Sequence, residues 1–291
     1  MMNIMALCLV LLVGTGVAQQ PTTTMELAKI LPVMVGLLPP AGTAPEALLI
    51  KSGDRVAFIG DSITAYGGYV RLTAYVLKMA YPEIKLPQFI SAGVSGQKAE
   101  GMEPRFEKDM QLTNAPTWIF ISVGINDVMH RLGPPHDPAV LAAYQENVTR
   151  MVVKAQKAGA KVVLLAPTII QEDPATEGNK RLTLYVEAMQ RIAIEKKCGF
   201  VDLHGMFLEA LARKPAGLKL TIDGVHMGPY GDSLMAIGVL RALGVPDAKI
   251  ASIDLTPIMN LRLTMPVERA AKELEVPLSR LFSLPGIGFS L

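Results

Sequence analysis

The sequence predicts an α/β fold, an open and mainly parallel sheet covered by helices on both faces, and three observations carry that prediction. Short apolar runs ending in small or polar residues recur along the chain. Amphipathic stretches of helical length separate them, the alternation expected of βαβ units with right-handed crossovers. With 291 residues, half of them hydrophobic and 19% charged, the chain can enclose one large domain core.

The strands are read in order. Residues 55–60 (RVAFIG) form a short buried run closed by glycine, and 88–91 (QFIS) a briefer second one. Residues 117–123 (TWIFISV) are apolar on both faces, as central parallel strands tend to be. Residues 161–166 (KVVLLA) and 199–203 (GFVDL) complete the set. Helices are expected over Gly68–Ala80, over Pro138–Ala158 with Gly159 at the C-cap, over Lys180–Lys197 and over Tyr230–Leu243. A further helix is expected within Met25–Leu38, before the linker at Pro39-Pro40. Past Pro246 the pattern weakens: Pro266–Glu275 suits one more helix, and the apolar end has no period.

The first residues carry no charged side chain, and an apolar run from Ile4 to Val13 precedes Gly14, Gly16 and Ala18. This reads as an export leader cleaved after Ala18; it is short for a membrane span, which makes an uncleaved anchor the lesser alternative. The organisation expected is therefore a leader over 1–18, an arm over 19–50, one α/β domain over 51–246 and an extension over 247–291. The protein is expected to be secreted, without stable membrane insertion after cleavage. Cys8 would leave with the leader, and Cys198 alone can form no internal disulfide. A formal net charge of +2, without a basic stripe, leaves no strong electrostatic case for nucleic acid or an anionic membrane, and no nucleic-acid partner is expected. Neither phosphate-loop nor dinucleotide fingerprints are present, and metal ligands do not cluster, so no cofactor and no metal is expected. Oligomeric state is not legible.

Ligands of open parallel sheets bind beyond the C-terminal ends of the strands. The loops there read Gly60-Asp61-Ser62, Gly93-Val94-Ser95-Gly96 and Gly124-Ile125-Asn126-Asp127, joined by Asp223-Gly224-Val225-His226 before the last core helix. A serine between strand and helix is more often an N-cap than a nucleophile. His226 shifts that balance, because imidazole can take the serine proton near neutral pH and return it to a leaving group. Asp223, three residues earlier, is close enough in a bent loop to accept the other ring N–H. The Ser62 and Gly96 backbone N–H groups and the Asn126 side-chain amide can serve a developing oxyanion, although Gly96 and Asn126 are also ordinary turn residues. His130 lies just past Asp127 and is a lesser candidate for substrate contact; His136 and His204 read as surface or structural. Asn147-Val148-Thr149 fits a glycosylation acceptor but falls in an expected helix and reads as chance.

Singly these signals are modest, but together the blocks FIGDSIT, SAGVSG, VGINDV and DGVHMGPYG resemble the GDSL or SGNH hydrolase family over roughly Arg55–Leu243. That resemblance implies a flavodoxin-like three-layer α/β/α sandwich with a five-stranded parallel sheet. It implies Ser62 as nucleophile, Asp223 and His226 as orienter and base, and Ser62, Gly96 and Asn126 as the oxyanion hole, with no cofactor. Two positions depart from the family pattern. Ser91 stands where Asn usually opens the second block, which puts a supporting hydrogen bond in question, and Ile63 replaces Leu. The expected activity is ester hydrolysis through an acyl-enzyme, with short acyl groups on carbohydrate the leading substrate. A lipase, lysophospholipase or thioesterase using the same residues, or a non-catalytic glycan-binding member of the fold, is the alternative.

Overall fold

The computed structural model describes residues 29–41 and 47–258. The expected leader, Cys8 and the expected helix at Pro266–Glu275 lie outside the described residues. Five strands form one parallel sheet in the order β2-β1-β3-β4-β5: β1 Val56–Gly60, β2 Ile90–Gly93, β3 Trp118–Ser122, β4 Lys161–Leu165 and β5 Gly199–Val201. The chain starts in the middle, moves out to β2 and then crosses to β3. The point where strand order reverses therefore lies between β1 and β3, the crevice in which such sheets bind ligands. Every residue of β1 and β3 is buried, and Phe58 stacks on its register partner Phe120 with ring centroids 4.8 Å apart. These side chains exclude water from both faces of the central strands, as their unbroken apolar runs require.

The helices, in chain order, are α1 Ile30–Gly36, α2 Ser62–Tyr66, α3 Gly68–Ala80, α4 Ala99–Met102, α5 Phe106–Asp109, α6 Ile125–Met129, α7 Pro138–Lys157, α8 Glu177–Lys196, α9 Leu203–Arg213, α10 Pro229–Ala242 and α11 Asp247–Ala251. α3, α10, α1 and α11 pack together, and α7 packs with α8 and α4 in a second group. Every residue of α10 from Ser233 to Leu240 is buried, so this helix is enclosed on all sides rather than amphipathic. The long helices start where side chains satisfy their first N–H groups. Asp137 Oδ1 accepts from Ala139 N at 2.8 Å, and Thr176 Oγ1 from Asn179 N at 3.3 Å, which starts α8 three residues before the expected Lys180.

The expected arm helix is present as α1 over its described part, with Ile30, Leu31 and Met34 fully buried. Arg241 of α10 donates to both carboxylate oxygens of Asp247 at 2.8 Å and to Pro39 O at 3.1 Å. Burial of Ile250 and Leu255 continues the core past Pro246. Asn147 is buried within α7 and donates to Ala143 O, so its side chain is engaged inside the helix.

Candidate active site

β1 ends at Gly60, and Asp61 caps the next helix by accepting from Ile63 N at 2.9 Å. The cap role weighed for Ser62 thus belongs to Asp61, which leaves the Ser62 hydroxyl free for other partners. Ser62 is the first residue of α2 and 8% exposed. β2 approaches this turn so closely that a Cβ on Gly93 would lie 2.0 Å from Ala65 N. Only glycine fits that contact. Ser91 Oγ donates to Thr64 O at 3.2 Å, so the residue that departs from the family pattern still supplies a bond to α2.

The 220–228 loop brings the other groups across. Asp223 Oδ1 accepts from Val225 N at 2.9 Å and His226 N at 2.7 Å, closing the bend foreseen for Asp-x-x-His. Its Oδ2 lies 2.6 Å from His226 Nδ1, and His226 Nε2 lies 2.8 Å from Ser62 Oγ. A carboxylate can only accept, so Nδ1 carries the proton and Nε2 is left to accept from the serine hydroxyl. Partial burial of Asp223 opposes its charge, but the hydrogen bonds from the His226 ring and the two backbone N–H groups outweigh it and hold the carboxyl below its ordinary range. Tyr66, one turn beyond Ser62, lies 4.7 Å from the imidazole, centroid to centroid.

The two remaining candidates are linked through Gln97, the residue after Gly96, which accepts from the Asn126 amide. Gly96 takes φ +73°, a left-handed conformation that glycine adopts at no steric cost. Asn126, on α6 and 2% exposed, donates one amide hydrogen to Gln97 O at 3.2 Å. His130 is exposed at the end of α6, and its Cε1 would stand 4.0 Å from a Cβ on Gly96. His204, by contrast, is buried with Nδ1 2.5 Å from Thr168 O, a structural bond. His136 lines a cavity of about 370 Å³ together with Asp127, Arg131 and Tyr185. Neither that cavity nor its neighbour of about 220 Å³ touches Ser62 or His226. The hydrogen-bonded row of Asp223, His226 and Ser62 lies apart from both cavities.

Two supporting residues, Arg105 and Asp127, are given no role of their own by the sequence. Arg105 donates to Gly60 O and Ala92 O, each at 3.0 Å, and to Gln97 Oε1 at 2.9 Å, and it pairs with Asp109. One guanidinium thus ties the ends of β1 and β2 to the Gly96 loop. In the charged run EPRFEKD it reads as a solvated face. Asp127 accepts from Ala99 N at 3.3 and 3.2 Å, linking α6 to the segment after Gly96.

Burial pushes the Asp127 carboxyl up to about 7, against the pull of the Ala99 N–H and Arg131. A carboxyl whose folded value is raised favours the folded state fully at pH below its unfolded value of 3.8, and that contribution is lost as pH rises through 7. Asp61 acts in the same direction, raised to about 6 chiefly by burial. Asp127→Asn should therefore flatten the decline in stability between about pH 4 and pH 8, leaving the smaller Asp61 contribution. Denaturant melts across that range check this; an unchanged slope would show that Asp127 ionises freely.

The pattern of the GDSL-like lipase/acylhydrolase family matches residues 58–234. The chain belongs to this family. It is a carboxylic ester hydrolase of the GDSL/SGNH type, with the family's five-stranded parallel sheet. An acetylxylan esterase of Geobacillus stearothermophilus is 28% identical over 214 residues, which span 67% of this chain and 96% of that enzyme. A solved catalytic mutant of the same enzyme superposes with a TM-score of 0.62 at 27% identity, covering 69% of this chain and 98% of that one. Catalytic mutants of that enzyme replace a serine, an aspartate and a histidine by alanine. An α/β hydrolase from the metagenome of Lake Arreo, Spain, shares the fold with a TM-score of 0.61 at 24% identity, covering 68% of this chain and 99% of that one.

Proposed function

We propose that this ester hydrolase removes short acyl groups, acetyl foremost, from carbohydrate by way of an acyl-enzyme on Ser62. The observation that carries the mechanism is the 2.8 Å contact of His226 Nε2 with Ser62 Oγ, backed by Asp223 at Nδ1. Ser62 Oγ attacks the ester carbonyl as its proton passes to Nε2. The carbonyl oxygen gathers charge against the N–H groups of Ser62 and Gly96 and the Asn126 amide. His226 then gives the proton to the departing alkoxide, the acyl–oxygen bond breaks, and the ester passes to Ser62. Water, activated by the same imidazole, attacks that ester, and the acid leaves with Ser62 regenerated. Asp223 stays ionised throughout and stabilises the imidazolium formed in each half.

Carbohydrate as the leaving group is supported by the resemblance to the acetylxylan esterase, which spans nearly all of that enzyme. An extracytoplasmic site of action, where such polymers lie, accords with the leader-like first 18 residues. One observation favours lipid esters instead: Val94 and Ile222, in the two loops beside Ser62, are 42% and 55% exposed.

Turnover of p-nitrophenyl acetate, butyrate and decanoate, beside release of acetate from acetylated xylooligosaccharides, tests the reading. kcat/KM should fall at least about tenfold from acetate to decanoate, the size of effect, about 1–3 kcal/mol, that a single misfitting methylene has in an acyl pocket. Preference for decanoate, with no acetate released from the oligosaccharide, would move the protein to the lipases.

A further inference from the structure

Asp223 and His226 sit on a loop, not on a helix or strand, and within it the only ladder contact is the isolated bridge between Thr221 and Met227. The Asp223 side chain is half exposed, at 51%, so packing holds it only in part. Reactive groups must nevertheless keep their geometry to within about 0.5 Å. Something outside the loop must fix it against Ser62.

We propose that Glu172, in the segment after β4, is the positioning residue that holds the 220–226 loop, and with it Asp223 and His226, in register with Ser62. This rests on the reading of Ser62 and His226 as the reacting pair. Glu172 Oε1 accepts three hydrogen bonds, from Leu220 N and Thr221 N at 2.8 Å and from Thr221 Oγ1 at 2.9 Å. The side chain is 8% exposed. A buried carboxylate is costly unless satisfied, and charge-assisted bonds of this kind are about twice as strong as neutral ones. Its other oxygen lies 3.4 Å from the Lys214 ammonium, an ion-pair distance without hydrogen-bond geometry. Lys214 Nζ in turn donates to Leu218 O at 2.5 Å, at the entrance of the same loop.

The neighbouring residue grips the loop a second time. Gln171 N donates to Gly224 O at 2.6 Å, with Gln171 at φ +63° and Gly224 at +91°. A glutamine in the left-handed region is uncommon, and such conformations persist where the surroundings over-determine them. Residues 171 and 172 therefore hold the loop on both sides of Asp223, at 220–221 and at 224. Within the loop, Ile222 N donates to His226 O and Gly228 N to Leu220 O, each at 2.9 Å, passing the constraint on to the imidazole. β4 pairs directly with β3, the strand that leads into Asn126, so the dyad and the amide share one frame.

The test compares Glu172→Ala, Glu172→Gln and Ser62→Ala with the wild type on p-nitrophenyl acetate. It is paired with the proton NMR signal of His226 Nδ1–H and a thermal melt. Because Glu172 does not touch substrate, Glu172→Ala should lower kcat about 100-fold with KM within about twofold, the cost of misplacing reacting groups by about an ångström. Its Nδ1–H signal should broaden or vanish. In Glu172→Gln the amide oxygen can still take all three donors, so kcat should recover to within about tenfold of wild type and the signal should return. Wild-type kcat and an intact signal in Glu172→Ala would overturn the proposal, as would equal losses in the two variants. Should Glu172→Ala fail to fold, Thr221→Val, which deletes one donor, takes its place. A fall of about fivefold is expected there, matching roughly 1 kcal/mol for one bond, and an unchanged kcat overturns the proposal. Inactive wild type, or active Ser62→Ala, would count against the esterase reading; the Nδ1–H signal still decides the role of Glu172.

Discussion

Ser62→Ala should lower kcat/KM on p-nitrophenyl acetate by about 10⁴-fold or more and leave the thermal midpoint nearly unchanged. The size follows from what the hydroxyl does. Without Oγ there is no acyl-enzyme, and what remains is water attack assisted by the oxyanion donors alone. The small effect on folding follows from its contacts: Oγ bonds His226 Nε2, while the turn itself is held by Asp61 on Ile63 N and by Gly93 against Ala65. His226→Ala should lose a comparable amount, and the double variant should be little worse than either, because nucleophile and base act as one unit. Retention of a tenth of wild-type turnover in Ser62→Ala would remove Ser62 from the chemistry, and a fluorophosphonate that still labels the variant would show where the true nucleophile lies.

How far the sequence anticipates this site depends on whether each feature is local. The strand ends, the Asp-x-x-His bend and the helices α3, α7 and α10 all follow from neighbours in the chain, and they stand within a few residues of where periodicity and caps put them. α8 begins early because Thr176, not a residue nearer Lys180, supplies the cap. α9 has no counterpart among the helices expected from the sequence, although its signal is local: Asp202 accepts from Gly205 N, and Leu203, Phe207 and Ala210 recur at helical spacing on the buried side. Arg105 and Glu172 are different. Their importance lies in contacts 45 and 48 residues away, with Gly60 and Leu220, and a charged side chain in a polar stretch gives no sign of such a partner. Periodicity finds elements and spacing finds motifs, but the polar side chains that fasten one loop to another become visible only when the sheet has brought those loops to the same edge.

Asn126→Ala should lower kcat by about 10²- to 10³-fold with little change in KM, the loss found when one oxyanion donor is removed from an acyl-transfer site. Asn126 is 2% exposed and spends one amide hydrogen on Gln97 O, which fixes the plane of the amide and leaves the second hydrogen for the substrate oxygen. The N–H groups of Ser62 and Gly96 make no hydrogen bond among the described residues, so the three donors are available together. Because the amide is held in place before substrate arrives, its stabilisation falls on the charge that develops in the transition state, and that is why kcat should move and KM should not. Asp127, the next residue on the same short helix, tests whether this is chemistry or scaffolding. Its carboxylate holds Ala99 N and so secures the loop that Gln97 shares with Gly96. Asp127→Asn keeps an oxygen for that bond and should cost far less activity than Asn126→Ala. Equal losses in the two variants would mean that α6 serves only to pin the Gly96 loop, and that the oxyanion is held by backbone N–H groups alone.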